Sequence, residues 1–349
     1  MEILVIGDPH FRIDNIPEVE LFITKIEALA KERNPKMIIC LGDLLHTHER
    51  IHTIPLNKAY EFIKKLSVIA FTVVLVGNHD YIQNQQFLTE NHWMNAMKSW
   101  ENVLIVDKVI HLKMPFELHE FQFIFCPYVP NKRFEEALNT VRDFDWKIAN
   151  CIFAHQEFLG CKMGAITSVD GDEWDLSYPK IVSGHIHSRQ IPQPNIYYTG
   201  SALQHAFGES DKNTVAIMHF TSTDQYTLEE IDLGLPRKKI VYLPIDKVDA
   251  YVFPTTDDDI KLSISGSHED FKAFKKTEKF KQLTKEGAKI VFKVEESTAS
   301  TLSTSSSTLS TSSTEEQCDF KNILKNLVDV SQNPLLTQYF ELVVNNKII

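Results

Sequence analysis

The stretch ILVIGDPHF, residues 3 to 11, ends an apolar run at Gly7 and then sets Asp8 and His10 two positions apart. Carboxylate and imidazole are both ligands for divalent transition metals. The arrangement returns along the chain: CLGDLLH supplies Asp43 and His46, LVGNHD supplies Asn78, His79 and Asp80, FAHQ supplies His155, and VSGHIH supplies His185 and His187. Asp8, His10, Asp43, Asn78, His155, His185 and His187 make seven donors, more than one transition ion uses. They suit two divalent ions that share a carboxylate, and their chemistry fits manganese, iron or zinc. Two such ions about 3.5–4 Å apart clamp a phosphate and activate water for in-line displacement.

Taken singly, each motif has an ordinary reading. Asp-x-His can be a loop with an exposed histidine, Gly-Asp is a common turn, and Gly-His-x-His can be two surface histidines. Five of them in order, each closing an apolar run, carry the weight. Asp8 and Asp43 are 35 residues apart, as are Asp43 and Asn78, a length that fits a strand-helix-strand unit. Parallel strands bring their carboxyl ends to one edge, where ligands bind. Side chains at i and i+2 of an extended segment face the same way, so Asp8 with His10, and His185 with His187, are each expected to aim at one point. The chain has twelve glycines, and Gly7, Gly42, Gly77 and Gly184 each precede a donor; a sharp exit from a strand needs such residues.

The elements that must position these donors follow from periodicity. Strands are expected at EILVI, KMIICL, FTVVLV, FQFIF, NCIFA, KIVS, NIYYT and TVAIMHF. EVELFITKIEALAKER and PLNKAYEFIKKL place apolar residues at helical spacing between the first three. The alternation predicts an α/β layer structure with a largely parallel sheet, followed by a second, more mixed one. After about Leu235 the texture shifts to three strands around one lysine-rich helix, EDFKAFKKTEKFKQLTKEG, as in a small α+β cap. From Lys272 to Lys289 seven lysines face two glutamates; this suits phosphate-backbone contact or simply a solvated helix face. Fifteen of the eighteen residues from 297 to 314 are Ser or Thr, a composition that cannot bury a core and predicts a flexible linker. Beyond it, residues 315–349 predict two short amphipathic helices broken at Asn333-Pro334.

Bulk composition narrows the class. With 349 residues, 43% hydrophobic and 24% charged, the chain is expected to be a globular protein with no membrane span. It begins on a strand, so no secretion signal is expected. Five cysteines, odd in number and without CxxC pairing, predict reduced thiols and an intracellular location. The net charge of −11 argues against a simple nucleic-acid binder, although carboxylates gathered for metals add to that sum.

Asp-x-His, Gly-Asp, Gly-Asn-His-Asp, a lone His and Gly-His-x-His together resemble the calcineurin-like metallophosphoesterase superfamily over about residues 1 to 220. The resemblance implies a two-sheet α/β sandwich flanked by helices, with the small α+β cap appended. It implies that Asp8, His10, Asp43 and His187 hold one ion, and that Asp43, Asn78, His155 and His185 hold the other. His79 would stabilise the transition state or donate a proton, oriented by Asp80. GDLLHTH lacks the Arg-Gly of phosphoprotein phosphatases, whereas His46 and YYTGSALQHAFGE resemble the nuclease subunit of SbcCD-type double-strand-break repair complexes, in the compact layout of large phages and viruses. His46 would then orient DNA or phosphate.

By that likeness, residues 1–235 form the nuclease domain, 236–296 the cap, 297–314 the linker and 315–349 the segment that docks on an SMC-like ABC ATPase. No Gly-x-x-x-x-Gly-Lys loop occurs, so the ATPase would be a separate chain. The expected activity is manganese-dependent hydrolysis of DNA phosphodiesters in repair or recombination, with DNA and the ATPase as partners and a homodimer left open. A small-molecule phosphodiesterase or phosphatase is the alternative. A non-catalytic scaffold is the third reading, and the complete donor set weighs against it.

Overall fold

All residues of β1 (Glu2–Ile6) after Glu2 are buried, and they alternate between two cores. Ile3 and Val5 face one apolar cluster, Leu4 and Ile6 the other. A strand buried on both faces shows as an unbroken apolar run in the sequence. The description comes from a computed structural model that covers residues 1–48, 50–223 and 225–294, with Val328 and Phe340 besides. The expected linker at 297–314 and, apart from those two residues, the expected helical tail at 315–349 lie outside the described residues.

β1 pairs in parallel with β2 (Met37–Cys40), which pairs with β3 (Phe71–Leu75), which pairs with β4 (Val103–Val106). The first two crossovers run through α1 (Ile16–Arg33) and α2 (Thr53–Ile69). α1 buries Val19, Phe22, Ile23, Ile26 and Ala30, and α2 buries Ala59, Phe62, Ile63 and Leu66. These rows pack on Leu4, Ile6, Ile38, Cys40 and Val74. α1 stops where Asn34 turns left-handed, with its amide on the Ala30 carbonyl at 2.9 Å.

The second sheet is assembled from β5 (Ile110–Phe116), β6 (His119–Cys126) and β7 (Cys151–His155), with α3 (Phe134–Leu138) between the last two. A hairpin of β8 (Lys162–Met163) and β9 (Ile166–Thr167) follows. Then come β10 (Ile181–Gly184), β11 (Gln190–Gln193) and β12 (Ile196–Tyr198). Its order is β11-β12-β10-β7-β6-β5, with parallel pairing from β12 to β6 and antiparallel strands at both edges. β13 (Thr214–Phe220) and β14 (Tyr226–Asp232) return antiparallel to β1, so the first sheet runs β14-β13-β1-β2-β3-β4. Ile39, Val73 and Met218 of one sheet meet Phe123, Phe153 and Val182 of the other. This is a two-sheet α/β sandwich with helices on its outer faces.

β4, β5, β11, β14 and the β8–β9 hairpin are absent from the sequence reading. β4 is only four residues long, and β5 and β14 carry polar residues on an exposed face, which dilutes the apolar signal.

β15 (Lys238–Pro244), β16 (Asp259–Gly266) and β17 (Lys289–Val294) form a separate parallel sheet. Instead of the single lysine-rich helix expected, α4 (His268–Phe274) and α5 (Glu278–Lys285) lie between β16 and β17. Thr277 breaks the run: its extended backbone and its hydroxyl, which accepts the Phe280 amide, start a new helix. Phe271, Phe274 and Leu283 then cover Leu262 and Ile264 in a small core of their own. The expected boundary at 235/236 marks the change of sheet, while Met1–Glu295 forms one compact unit. Lys238 anchors the cap, with its ammonium 2.8 Å from Glu18 and its amide donating to the Gln204 side chain at 2.6 Å. Among the described residues no helix is long and apolar enough to cross a membrane.

Candidate metal centre

The carboxyl ends of β1, β2 and β3 from one sheet and of β7 and β10 from the other meet at one rim, and all seven expected donors converge there. The local reason differs from the one the sequence suggested. Asp8, His10, Asp43 and His185 have φ of +40°, +43°, +51° and +78°, so the chain at these positions is turned left-handed rather than extended. Such angles cost an ordinary residue about 1–3 kcal/mol each and persist where the surroundings impose them. Here the His10 amide bonds the Asp43 carbonyl at 3.0 Å, Phe11 bonds Leu44 at 2.8 Å, and Ala202 bonds Gly7 at 2.9 Å. The glycines serve mainly to let neighbours approach. Gly42 is left-handed itself (φ +108°), and a Cβ on Gly77 would run into the Asp43 carboxylate.

The donor atoms form two groups joined by Asp43. Asp43 Oδ2 lies 3.5 Å from His10 Nε2, and Oδ1 lies 3.5 Å from His155 Nε2. On the first side, His10 Nε2 and His187 Nε2 face each other at 3.0 Å, and Asp8, His10 and Asp43 offer atoms within 4.8 Å of one another. On the second, Asp43, His155 and His185 cluster equally closely, and Asn78 Oδ1 is 3.0 Å from His155 Nε2 and 2.9 Å from His185 Nδ1.

The proton positions favour a cation. His155 donates Nδ1–H to the Leu41 carbonyl at 2.7 Å, so in its neutral form a lone pair at Nε2 is directed at carboxylate and amide oxygens. The remaining Asp8 oxygen, Oδ2, is buried without a hydrogen-bond partner. Buried lone pairs that meet one another need a positive charge between them.

The carboxylates draw positive charge to this spot, which a proton on His155 can supply as well as an ion. Burial pushes the Asp8 carboxyl up to about 6 against the pull of His155. Burial also lowers His10 strongly and takes His185, with help from His155, down to about 3. For Asp43 and His155 their mutual attraction outweighs burial, so Asp43 is held well below the usual carboxylate range and His155 is raised to about 9.

His79 sits beside this centre, with its amide on Asp43 Oδ1 at 2.9 Å. Its ring is oriented by the His46 main chain, not by Asp80: Nδ1 lies 2.7 Å from the His46 carbonyl. Asp80 instead accepts the amides of Gly77 and Leu45 and the indole N–H of Trp93, at 3.0, 3.3 and 2.9 Å. It ties the β3 turn to the β2 loop, a structural duty its burial requires. The His46 and His48 rings both stack on His79, with centroids 5.3 and 4.7 Å away, and His46 Nδ1 is 3.4 Å from His10 Nδ1.

Two contributors escaped the sequence reading. His48, which follows no apolar run, is one of them. Glu209 stood in the quoted Phe-Gly-Glu pattern without a role; its Oε1 is 3.3 Å from His187 Nδ1, while Oε2 takes the His205 and Ala206 amides at 2.8 and 3.0 Å. A carboxylate behind a histidine fixes which ring nitrogen faces a metal. Although burial opposes both shifts, this contact raises His187, and with the two amides it holds Glu209 down at about 2.

Two clefts open from the rim. One, of about 500 Å³, is lined by Lys162, Met163, His185, His187 and Phe207. The other, of about 870 Å³, is lined by His46, His48, Arg50 and His52. Lys261 and Lys289 of the cap reach Phe207, each with its ammonium 5.1 Å from the ring centre.

A two-sheet sandwich whose strand ends gather carboxylate, amide and imidazole donors defines a metal-dependent phosphoester hydrolase. The family described as Calcineurin-like phosphoesterase matches residues 1–189. A protein of Invertebrate iridescent virus 6, named as phosphoesterase 244L, is 48% identical over 283 residues, covering 79% of this chain and 97% of its own. Phosphoesterase 078R of Invertebrate iridescent virus 3 is 45% identical over 303 residues, 85% of this chain and 86% of that one. The solved structure of Yfce, a phosphoesterase from E. coli, is similar at 12% identity with a TM-score of 0.31, over 67% of this chain and 100% of that chain. The chain belongs to the calcineurin-like phosphoesterase family, whose members use divalent metal ions.

Proposed function

We propose that this phosphoesterase is a DNA nuclease that works with two manganese ions. Asp8, His10, Asp43 and His187 would hold one ion and Asp43, Asn78, His155 and His185 the other, with Asp43 bridging. When bound, such ions act as Lewis acids and lower the pKa of water at the phosphate. His79 donates its Nδ1–H to the His46 carbonyl, so its Nε2 faces the phosphate and, carrying a proton as well, would bond a phosphate oxygen or pass that proton to the departing alkoxide. The His46 and His48 rings limit its motion, and Glu209 and Leu41 hold His187 and His155 in their working tautomers.

The observation that carries the choice of DNA is the shape and charge of the rim. The site lies between two open clefts rather than at the bottom of a closed pocket, and cap lysines 261 and 289 stand over the aromatic wall of one of them. A polymer can pass such a rim while its backbone meets the cations. Lys272, Lys275, Lys276, Lys281 and Lys285 are also exposed on the cap. The net charge of −11 is the one feature that favours a small phosphoester instead.

The proposal extends to an intracellular role in repair, supported by the buried, unpaired Cys40, Cys126, Cys151 and Cys161. It also includes docking of residues 315–349 on an SMC-like ABC ATPase, supported by the apolar Ile323, Leu324, Leu327, Leu335, Leu336 and Tyr339 of that segment.

The test is a digest of linear double-stranded and single-stranded DNA beside p-nitrophenyl phosphate and bis-p-nitrophenyl phosphate, with manganese and with EDTA. Manganese-dependent DNA cleavage that EDTA abolishes is the expected result. Turnover of the small esters with intact DNA would overturn the nuclease reading and leave the phosphoesterase in place.

A further inference from the structure

His205 lies on the loop after β12, 6% exposed, in the stretch GSALQHAFGE. Its Nε2 is 2.8 Å from the Asp8 carbonyl oxygen and 2.5 Å from the Ser201 hydroxyl. A carbonyl oxygen only accepts, so Nε2 carries the proton and Nδ1 carries a lone pair. That Nδ1 is buried and, among the described residues, has no hydrogen-bond partner. A buried acceptor with no donor calls for a cation, because an unpaired polar atom in a dry site is costly.

The surroundings say which cation. The His205 ring centre is 4.8 Å from that of His10 and 5.1 Å from that of His187. One nitrogen from each of the three histidines falls within 4.8 Å of the others. The Arg12 guanidinium donates to the His205 carbonyl at 3.1 Å, not to its ring, and pairs with Asp14 at 3.0 Å.

We propose that His205 is a further ligand, through Nδ1, of the ion held by Asp8, His10, Asp43 and His187. The inference rests on the two-ion reading above and goes beyond its seven donors. It gives that ion two carboxylates and three imidazoles, a set that prefers manganese, iron or zinc to magnesium or calcium.

Two substitutions separate this role from a purely structural one. His205→Gln can keep a nitrogen near the place of Nε2, and with it the bond to the Asp8 carbonyl, but offers nothing at Nδ1. His205→Asn places an oxygen near Nδ1 and gives up the bond to Asp8. Manganese binding to the full chain is read without reference to activity, by calorimetric titration and by the electron paramagnetic resonance of free manganese.

The wild type is expected to bind two ions. The Gln variant should bind one of them about 10–100-fold more weakly, and the Asn variant should stay within about threefold of wild type. Wild-type affinities in the Gln variant, or equal weakening in both variants, would overturn the proposal. Fewer than two ions on the wild type would instead sink the two-ion reading itself. If the Gln variant does not fold, nitrogen-15 spectra of histidine-labelled wild type decide: the His205 Nδ1 signal should move when zinc is added, and an unmoved signal overturns the assignment.

Discussion

His79 Nδ1 lies 2.7 Å from the carbonyl oxygen of His46, so a main-chain atom of the β2 loop orients the ring beside the metal centre. Main-chain orientation survives side-chain replacement. The role of His79 can therefore be tested without disturbing what holds it, and Asp80 can be tested separately as a structural residue.

Replacing His79 with Ala should leave metal content unchanged, since the contact to Asp43 comes from its amide. Turnover should fall about 10²–10⁴-fold, the usual contribution of a positioned acid or base. Steady-state rates beside metal analysis of the same sample check this; unchanged turnover would remove His79 from the chemistry.

Asp80→Ala should act on stability instead. It strips acceptors from two buried amides and an indole N–H, and a donor left unpaired in the interior costs about 1–3 kcal/mol. A drop of at least that size is expected in urea unfolding. A variant as stable as wild type would mean that water or another group takes over those donors.

Glu209→Gln keeps an acceptor near the His205 and Ala206 amides but loses the charge behind His187. One ion should bind about 10–100-fold more weakly, with the melting temperature little changed. Equal affinity in a calorimetric titration would show that His187 needs no carboxylate partner.

Asp107 offers a pH test away from the metals. Burial opposes its ionisation, but the His92 contact at 3.1 Å and Lys98 at 2.5 Å win, and its pKa lies below the ordinary 3.8. A carboxyl with a depressed folded-state pKa adds stability that is fully present above the unfolded value and is lost as pH falls through the folded one. Wild type should therefore lose stability below about pH 4 more steeply than Asp107→Asn, as read from urea midpoints across that range. Parallel curves would refute this assignment.

Much of the site was legible because its donors end buried strands, and buried strands are apolar runs. Asp8, Asp43, Asn78, His155 and His185 each follow such a run at once, so their convergence at a parallel edge could be inferred before any coordinates. Asp80 was assigned a contact with its neighbour in sequence, but adjacent residues in a turn point apart, and its partners come from Leu45 and Trp93. Glu209 and His205 were harder to place because their loop has no period; only its return past Asp8 and His187 gives them partners. The lysine-rich segment looked like one helix because charge periodicity continues across Thr277, whereas the cap of a new helix depends on a single hydroxyl.

By itself, the sequence determined the buried central strands, the first two helical crossovers, the seven candidate donors and the glycines that allow close approach, since each depends on local pattern and residue chemistry. Only the tertiary structure decided which oxygen of Asp43 serves which cluster, which atom orients His79, and that Glu209 stands behind His187 while His205 joins His10 and His187. Those choices turn on distances of a few ångströms between segments up to about 200 residues apart in the chain, and contacts of that kind exist only once both sheets have packed.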